Sequence, residues 1–284
     1  PFSEEIFTRL GDTYRRIRNT LRILHGNLFD YESGSHEGRK QEFTLVDRWI
    51  LDRLDHVIAD CRSAYEAFEV HKVYHTLNQF CAVDLSSLYI DITKDRMYCD
   101  APDSPRRRAT QTAMHKIFDA LCRLLAPILV FTAEEAWGYS GAGGSVHLEL
   151  FPEQTRAERD SDSASRMAEA LQLRNVISRE IEQARQGKIV GNSLEAKVCL
   201  ELRKDESSWD WFKDLGSLEE IFILSDLRLV DGAEVKAVVT RTEFRKCARC
   251  WRHRPAVGLS KAHPDVCDRC EAVVAAAANK VRST

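Results

Sequence analysis

The sequence lacks any apolar run as long as the roughly 18 to 20 residues that a membrane-spanning helix requires. The opening segment PFSEEIFTRL is acidic and mixed, so it lacks the pattern of a secretory signal. Internal repeats, low-complexity tracts, the dinucleotide-binding pattern G-x-G-x-x-G and the P-loop are also absent. We therefore expect a cytoplasmic globular protein that has no phosphate-binding glycine loop and no membrane partner.

The overall charge gives little indication of a partner, but its distribution along the chain does. The 284 residues carry a formal net charge of −3 at pH 7, and 30% of them are charged, which is ordinary for a soluble protein. Between Arg241 and Arg254 there are six lysines or arginines and a single acid, Glu243. A locally basic segment of this kind can bind a polyanion even when the whole protein is mildly acidic.

The nine cysteines fall into two groups. Four of them form two pairs within 24 residues near the C-terminal end. The other five are scattered through helical or strand-like sequence, and in a reducing compartment they are expected to be small core residues. This scattered group consists of Cys61, Cys81, Cys99, Cys122 and Cys199.

Most of the chain predicts long helices. In the opening helix, apolar residues recur at spacings of four and three, so they share one stripe of the helix surface. A second helix is expected to begin near Phe43, a third to span about Val70 to Asp91, and a fourth to start at Pro105 with Ser104 as its N-cap. Together they predict a mostly α fold based on an antiparallel bundle. The stripe of the first helix consists of Leu10, Tyr14, Ile17, Leu21, Leu24 and Leu28.

Beyond the bundle the hydrophobic period changes. A charged helix is predicted from about Ser163 to Gln186, capped at its end by Gly187. The stretches EAKVCLEL, IFILSDLRLV and EVKAVVTRTE alternate like strands, and the stretch SVHLELFPE before the charged helix is expected to be extended. We therefore predict a helical bundle over residues 1–152, a small α+β junction domain over 153–240 and a zinc ribbon over 241–284.

The paired cysteines predict a metal site with the pattern Cys247-x2-Cys250-x16-Cys267-x2-Cys270. Two residues between cysteines let a tight turn direct both sulfurs at one ion, and two such turns complete a tetrahedral zinc shell. Because no coordination position remains for water, the one Zn²⁺ is expected to be structural. The site carries a formal charge of about −2, which nearby cations can offset. These cations are Arg245, Lys246, Arg249, Arg252 and Arg269.

Two alternatives to a four-cysteine zinc site remain open at the level of the sequence. The cysteines could form two disulfides or stay free, although disulfides would need an oxidising environment. His253 or His263 could also replace one cysteine as a ligand, although four sulfurs already fill the shell.

Several segments, taken together and in order, resemble the anticodon-binding region of bacterial-type isoleucyl-tRNA synthetases. The resemblance covers essentially the whole chain and includes the terminal CARCWRH and VCDRC pairs. The segments RIRNT and KDRMYC, with the ribbon, favour the isoleucine enzyme, whereas APILVFTAEEAW is shared with the valine, leucine and methionine enzymes. The other matching segments are YRRIRNTLRILHGNL at 14–28, LVDRWIL at 45–51, KDRMYCDAPDSPRRRATQTA at 94–113, LLAPILVFTAEEAW at 124–137 and SVHLELFP at 145–152.

The resemblance implies a tRNA-binding portion of isoleucine-tRNA ligase, which joins isoleucine to its tRNA with ATP. The HIGH-like and KMSKS-like motifs of the family's catalytic domain are absent here, so we expect no catalytic residue in this chain. ATP and Mg²⁺ would serve only that catalytic part, which is expected in cis at the N-terminal side of a monomeric enzyme. The expected partner is the anticodon stem-loop of isoleucine tRNA.

The ribbon provides the first set of candidate RNA contacts. Aromatic rings among cations are what an unstacked base and its phosphates require. In the resembled family the ribbon meets the anticodon loop, and Trp251 directly follows a metal ligand, so it is the main candidate for base stacking. A role in the ribbon's small core is the alternative. The other candidates in the ribbon are Phe244, Arg245, Lys246, Arg249 and Arg252.

Two further basic groups lie on the predicted bundle. Arg15, Arg18 and Arg22 recur at three and four residues and form a ridge beside the apolar stripe. They could contact RNA phosphates, or they could pair with carboxylates such as Asp12 or those of the next helix. Cations are unfavourable at a helix N-terminus, so the run of arginines that opens the fourth helix indicates an anionic partner. That run is Arg106, Arg107 and Arg108, with Gln111 one turn later.

Two other functions are compatible with parts of the sequence. The chain could be a free-standing paralogue whose bundle and ribbon bind RNA or a protein. The ribbon spacing is also similar to that of the formamidopyrimidine-DNA glycosylases, which bind damaged DNA and begin with Pro followed by Glu. This chain begins Pro1-Phe2 and is helical where those enzymes form a β-sandwich, so a glycosylase is not expected.

Overall fold

The computed structural model describes residues 4–32, 43–154, 161–203 and 215–282. The chain divides into two compact units. The first unit comprises residues 1–91 and 103–163, and the second comprises 92–102 and 164–284. No helix in these described ranges is long and apolar enough to cross a membrane. The predicted division into three domains stays a prediction.

The first unit is built from helices, as the apolar periodicity predicts. Its interior includes Trp49 and Trp137, which are almost completely buried. A single continuous helical segment runs from Val70 to Cys99 and contains α3, a stretch of π-helix and α4, of which residues 92–99 belong to the second unit. The helices are α1 (Glu4–Gly26), α2 (Leu45–Glu66), α3 (Val70–Gln79), the π-helix (Phe80–Tyr89), α4 (Ile90–Cys99), α5 (Pro105–Leu125) and α6 (Val130–Tyr139).

A buried carboxylate at the start of α2 holds several of these helices together. Thr44 and Asp47 form a capping box, in which each side chain accepts a hydrogen bond from the other residue's backbone N–H. The second oxygen of Asp47 accepts hydrogen bonds from Tyr89 at 2.8 Å and from Thr110 at 3.0 Å. Asp47 is fully buried, and these donors satisfy the charge that burial would otherwise penalise.

Three predictions for the first unit need correction. In the stripe of α1, Leu10 and Tyr14 are 45% and 39% exposed, and burial begins at Ile17. The fourth helix stops at Leu125 and resumes at Val130, because a proline at position 127 cannot continue it. The segment SVHLELFPE, expected to be extended, contains a turn of 3₁₀-helix over Val146–Leu148.

Most of α7 (Ser161–Gln186) lies in the second unit, and the helix ends at Gln186 as predicted, just before Gly187. The left-handed residue is Lys188, at φ +58°, and not Gly187. The amide of Lys188 donates to Arg185 O at 3.0 Å, and that of Ile189 donates to Ala184 O at 2.9 Å. These two bonds form a Schellman motif, so the chain ends this helix without placing a glycine in the left-handed position.

A three-stranded sheet follows α7, with strand order β2-β1-β3. β1 (Ala196–Leu202) is parallel to β2 (Asp226–Asp231) and antiparallel to β3 (Lys236–Arg241). Along β1, buried and partly buried residues alternate, which confirms the alternation expected of EAKVCLEL. The start of the stretch IFILSDLRLV is not a strand, because Ile221 and Phe222 end α8 (Leu215–Phe222).

The ribbon completes the second unit with short β4 (Arg245–Lys246), β5 (His253–Arg254) and α9 (Asp268–Arg282). β4 and β5 pair antiparallel. Together with the helices and the small sheet, these elements confirm the predicted class, a mostly α fold followed by a small α+β part and a four-cysteine ribbon.

Candidate metal centre and nucleic-acid interface

Four cysteine sulfurs converge in the ribbon. The Sγ atoms of Cys247, Cys250, Cys267 and Cys270 all lie within 4.8 Å of one another, and those of Cys250 and Cys267 are 3.9 Å apart. A tetrahedral ion with zinc–sulfur bonds of about 2.3 Å requires sulfurs about 3.8 Å apart. The sulfurs are too far apart for disulfides, and all nine cysteines are free thiols. The cluster therefore fits a zinc ion.

Local backbone geometry aims the sulfurs at one point. The first cysteine pair lies in the turn between β4 and β5, which is closed by hydrogen bonds from Cys247 N to Arg252 O at 2.9 Å and from Trp251 N to Cys247 O at 3.0 Å. The amide of Cys267 donates to the Cys247 sulfur at 3.3 Å, while Cys270 sits in the first turn of α9. Amide donors of this kind stabilise thiolates, which are the form that binds the metal.

The electrostatic environment differs among the four thiols. The guanidinium of Arg249 lies 3.7 Å from the Cys270 sulfur. A hydrogen bond from Cys270 holds the pKa of Cys250 well below the usual range of a thiol, while that same bond raises the pKa of Cys270 and burial raises the pKa of Cys267. Cys247, Cys267 and Cys270 are buried around Val257, so the cluster forms the small core of the ribbon. A resident zinc would replace the hydrophobic core that so short a segment cannot build.

The two histidines do not compete for this site. His253 forms a hydrogen bond through Nδ1 with the carbonyl of Phe244 at 2.7 Å, and His263 is not among the converging ligands. In the part of the chain that the structure describes, the four cysteines are the one group of potential ligands that could hold a metal. Neither histidine is among the ligands, and four thiolates fill a tetrahedral shell. The residues present therefore support a structural zinc.

Trp251 has the properties expected of a stacking residue. Its side chain is 63% exposed, although it directly follows the ligand Cys250. Its backbone adopts φ +64°, a left-handed conformation that costs a non-glycine residue roughly 1 to 2 kcal/mol. The ammonium of Lys246 lies 5.4 Å from the ring centroid. The ring therefore stands outside the ribbon's core, with a cation at its face, which argues against the alternative core role.

The other ribbon candidates differ in how accessible they are. Arg245 and Lys246 are exposed, and Phe244 is partly buried. Arg252 is 6% exposed; it donates to Leu224 O at 2.9 Å and pairs with Asp95. RNA contacts by these residues stay predictions, but the Arg252 side chain is already used inside the second unit.

Sequence reasoning missed the segment 92–102, which the ribbon's arginines hold. Arg249 donates to the carbonyls of Tyr98 and Cys99. Arg269 forms a two-point ion pair with Asp95, with N–O distances of 2.7 and 2.9 Å, and also reaches Asp100 at 3.3 Å. The only available signal was the number of charges in KDRMYCD, which gave no indication of partners about 170 positions away.

In the first unit, carboxylates engage two of the three arginines predicted to form a ridge. Arg15 pairs with Asp12, and Arg18 pairs through both oxygens with Glu135 of α6 at 2.8 Å. Arg22 is exposed and lines a cavity of about 340 Å³. The alternative of carboxylate pairing therefore holds for Arg15 and Arg18, while a phosphate contact by any of the three stays a prediction.

The run of arginines that opens α5 has an anionic partner inside the protein. Arg107 is 4% exposed and forms a two-point ion pair with Asp30, at 2.8 and 2.9 Å. Arg108 pairs with the same carboxylate, and the buried Gln111 donates to it at 2.7 Å. Burial alone would raise the pKa of Asp30, but the hydrogen bonds from Arg107 and Gln111 outweigh it and hold that pKa below its ordinary value.

Asp30 therefore accounts for much of this unusual run of cations. RNA contacts by Arg106, Arg107 and Gln111 stay predictions. The internal pairing gives Arg107 and Gln111 a structural role in joining α5 to the segment that follows α1.

Comparison with known proteins agrees with this arrangement of bundle and ribbon. A family described as the anticodon-binding domain of tRNA ligase matches residues 47–200, more than half of the chain. The chain belongs to this family of tRNA-ligase anticodon-binding domains. A second family, described as a zinc finger found in FPG and IleRS, matches residues 244–273, which contain all four cysteines of the metal cluster.

Several curated proteins that are similar to this chain over almost its whole length are isoleucine–tRNA ligases. That of Methylacidiphilum infernorum is 40% identical over 272 residues, covering 95% of this chain and 29% of the relative. That of Symbiobacterium thermophilum is 40% identical over 292 residues, covering 96% and 31% respectively. The Geobacter sulfurreducens ligase is 38% identical over 285 residues, covering 96% and 30%. The chain thus spans about 30% of the length of these relatives.

Proposed function

We propose that this chain is the part of an isoleucine–tRNA ligase that holds the anticodon stem-loop while the rest of the enzyme joins isoleucine to the tRNA. The observation that carries the proposal is the exposed ring of Trp251, which is fixed by the metal-binding turn and has Lys246 at its face. An aromatic ring beside a cation binds a splayed base and its phosphate. The similarity to isoleucine–tRNA ligases over almost the whole chain supports the same function.

In this function the chain works by positioning the tRNA. Lysines and arginines on the surface would bind phosphates and set the register of the RNA, whereas stacked and hydrogen-bonded bases would supply specificity. The zinc would fix the turn that presents Trp251. ATP and Mg²⁺ would act in the catalytic part of the same polypeptide, and the whole enzyme is expected to be a cytoplasmic monomer.

Binding of isoleucine tRNA tests this function directly. The affinity of the 284-residue chain is measured for this tRNA and for a form with a changed anticodon, each at two salt concentrations. Phosphate contacts alone give binding that weakens with salt but does not depend on the anticodon. The proposal expects salt-dependent binding together with a preference for the natural anticodon, and equal affinities for the two RNAs would contradict it.

Substitution of the stacking residue refines the test. Trp251→Leu is expected to weaken tRNA binding by at least about fivefold, because stacking of one base on an aromatic ring contributes roughly 1 to 3 kcal/mol. Phe131→Leu is the matched control, since Phe131 is 89% exposed but lies on α6 in the first unit. An equal loss of affinity in both variants would indicate a general effect of removing a surface aromatic.

A further inference from the structure

An exposed aromatic side chain lies on the segment that the ribbon holds. Tyr98 is 65% exposed, whereas its neighbours Met97 and Cys99 are both buried. It occupies the last turn of α4, so the helix itself directs the ring outward. Isolated exposed aromatics are common on proteins. Exposure alone therefore does not indicate that Tyr98 binds a ligand, and the residues around it have to be considered.

Tyr98 is tied to the ribbon through its backbone. The Arg249 guanidinium donates to the Tyr98 carbonyl at 3.3 Å and to the Cys99 carbonyl. The Cys99 thiol in turn lies 3.9 Å from the Arg249 carbonyl. Arg249 also contacts the Cys270 sulfur and is two residues from Trp251. The Arg249 side chain therefore connects the backbone of Tyr98 to a metal ligand, close in sequence to Trp251.

A lysine lies on the same helix face as Tyr98. Lys94 is exposed and lies four residues before Tyr98, so both side chains share one face of α4. At Trp251, the ammonium of Lys246 lies 5.4 Å from the ring centroid. Two exposed aromatic residues, one with a lysine on its helix face and the other with a lysine at its ring, therefore occur on segments that Arg249 connects.

We propose that Tyr98 is a second base-stacking residue, which Arg249 holds against the zinc ribbon so that Tyr98 and Trp251 bind two unstacked bases of one RNA. Lys94 and Lys246 would bind the phosphates of those nucleotides. The inference rests on the proposed function, since it assigns a further contact for the same RNA. It adds a residue outside the ribbon to the recognition surface.

The probe is a fluorescent RNA hairpin with the isoleucine anticodon stem and loop, titrated with the 284-residue chain. Tyr98→Leu is expected to weaken binding by at least about fivefold. Tyr98→Phe is expected to retain affinity because the ring is preserved. The matched control is Tyr139→Leu, since Tyr139 is similarly exposed but lies at the end of α6 in the first unit. Zinc content and far-ultraviolet circular dichroism establish that each variant is folded.

Abasic substitutions in the hairpin separate stacking from indirect effects. If Tyr98 stacks on one base, Tyr98→Leu and the wild-type protein bind equally well to the hairpin that lacks this base. A fivefold difference that persists at every abasic position would overturn the stacking role. Tyr98→Leu with unchanged affinity, beside a weakened Trp251→Leu, would overturn this inference and leave the proposed function intact. Failure of the wild-type protein to bind the hairpin would overturn both.

The positioning role of Arg249 has its own readout. Arg249→Lys keeps the positive charge but loses the planar fork, in which two separate guanidinium nitrogens donate to the two carbonyls in a fixed geometry. Faster amide hydrogen exchange over residues 97–101, with zinc still bound, is the expected result. Unchanged exchange in this segment would show that Arg249 does not hold Tyr98 in place.

Discussion

Arg96 and Glu220 form a two-point ion pair in the interior of the second unit, although they lie 124 positions apart in the sequence. Arg96 has no exposed surface, and Glu220 is 6% exposed. A buried guanidinium is costly unless a carboxylate and hydrogen bonds compensate its charge. The end of α4 is thereby fixed to α8, and the same short segment carries the partners of Arg249, Arg252 and Arg269.

Removal of one partner of this pair is expected to destabilise the second unit strongly. Arg96→Met leaves Glu220 buried without its guanidinium, and the expected loss of unfolding free energy is about 3 to 5 kcal/mol. Chemical denaturation followed by fluorescence measures it. Adding Glu220→Leu is expected to recover part of the loss, because no uncompensated charge then remains. Arg185→Met, which breaks a pair exposed on α7, serves as the control and is expected to have no measurable effect.

Metal binding depends on all four ribbon cysteines. Purified protein is expected to contain one zinc per chain, and Cys247→Ser or Cys267→Ser is expected to lower this content to nearly zero. Atomic emission measures the zinc, and cobalt substitution reports thiolate ligation through its charge-transfer absorption. Cys199→Ser, outside the cluster, is the control and retains the metal. Full zinc content in the Cys247→Ser variant would contradict the assignment.

Stability is expected to fall at high pH because four thiols outside the metal cluster are buried. Burial raises the pKa of Cys61, Cys81 and Cys122 to about 12 and that of Cys99 to about 11. In the unfolded chain these thiols ionise near pH 8.5. Between these values the unfolded state binds fewer protons, so each thiol lowers the unfolding free energy by up to about 1.4 kcal/mol per pH unit.

Denaturation from pH 7 to 11 with saturating zinc checks this slope. Below pH 8 the thiols are protonated in both states and leave stability unchanged. Cys122→Ala is expected to reduce the slope above pH 9, since one of the four titrating thiols is gone. The same slope in the variant and the wild type would contradict the prediction.

The end of α7 offers a test of the backbone assignment. Lys188 adopts φ +58°, whereas Gly187 is outside the left-handed region. Lys188→Gly is therefore expected to stabilise the second unit by about 0.5 to 1 kcal/mol. Gly187→Ala is expected to be neutral or to stabilise by up to about 1 kcal/mol, since a Cβ there would meet its nearest atom at 3.4 Å. A clear loss of stability in Gly187→Ala would mean that position 187 is the left-handed one.

The parts of this protein that are predictable from sequence are those set by local spacing. The two Cys-x2-Cys turns predict the metal cluster, and Pro105 after Ser104 predicts the start of α5. The ion-pair and hydrogen-bond partners of each arginine were not predictable in the same way, because they are groups far away in the sequence. Arg107 is predicted to contact RNA, but its ion pair with Asp30, 77 positions away, is not indicated by any local pattern. Arg252 likewise turns inward to a carbonyl 28 positions earlier.

Local composition also predicted the wrong secondary structure where tertiary packing determined the backbone conformation. The residues Ile221 and Phe222 have the composition of a strand but end α8. The chain then turns through Ile223 at φ +56°, a conformation that β-branched residues rarely adopt. The hydrogen bond from Leu224 N to Glu219 O at 2.8 Å closes this turn, and the flanking residues Phe222 and Leu224 are buried. No periodicity in the sequence encodes such a turn.

The left-handed backbone of Trp251 means that, at this position, a change that raises heat resistance also removes the aromatic ring. Position 251 is among the most obvious places to introduce glycine, because the change would relieve an unfavourable torsion next to the zinc site. The same change would delete the ring that projects from the metal turn. A programme that optimises melting temperature alone would therefore favour a more durable ribbon that lacks the proposed stacking residue.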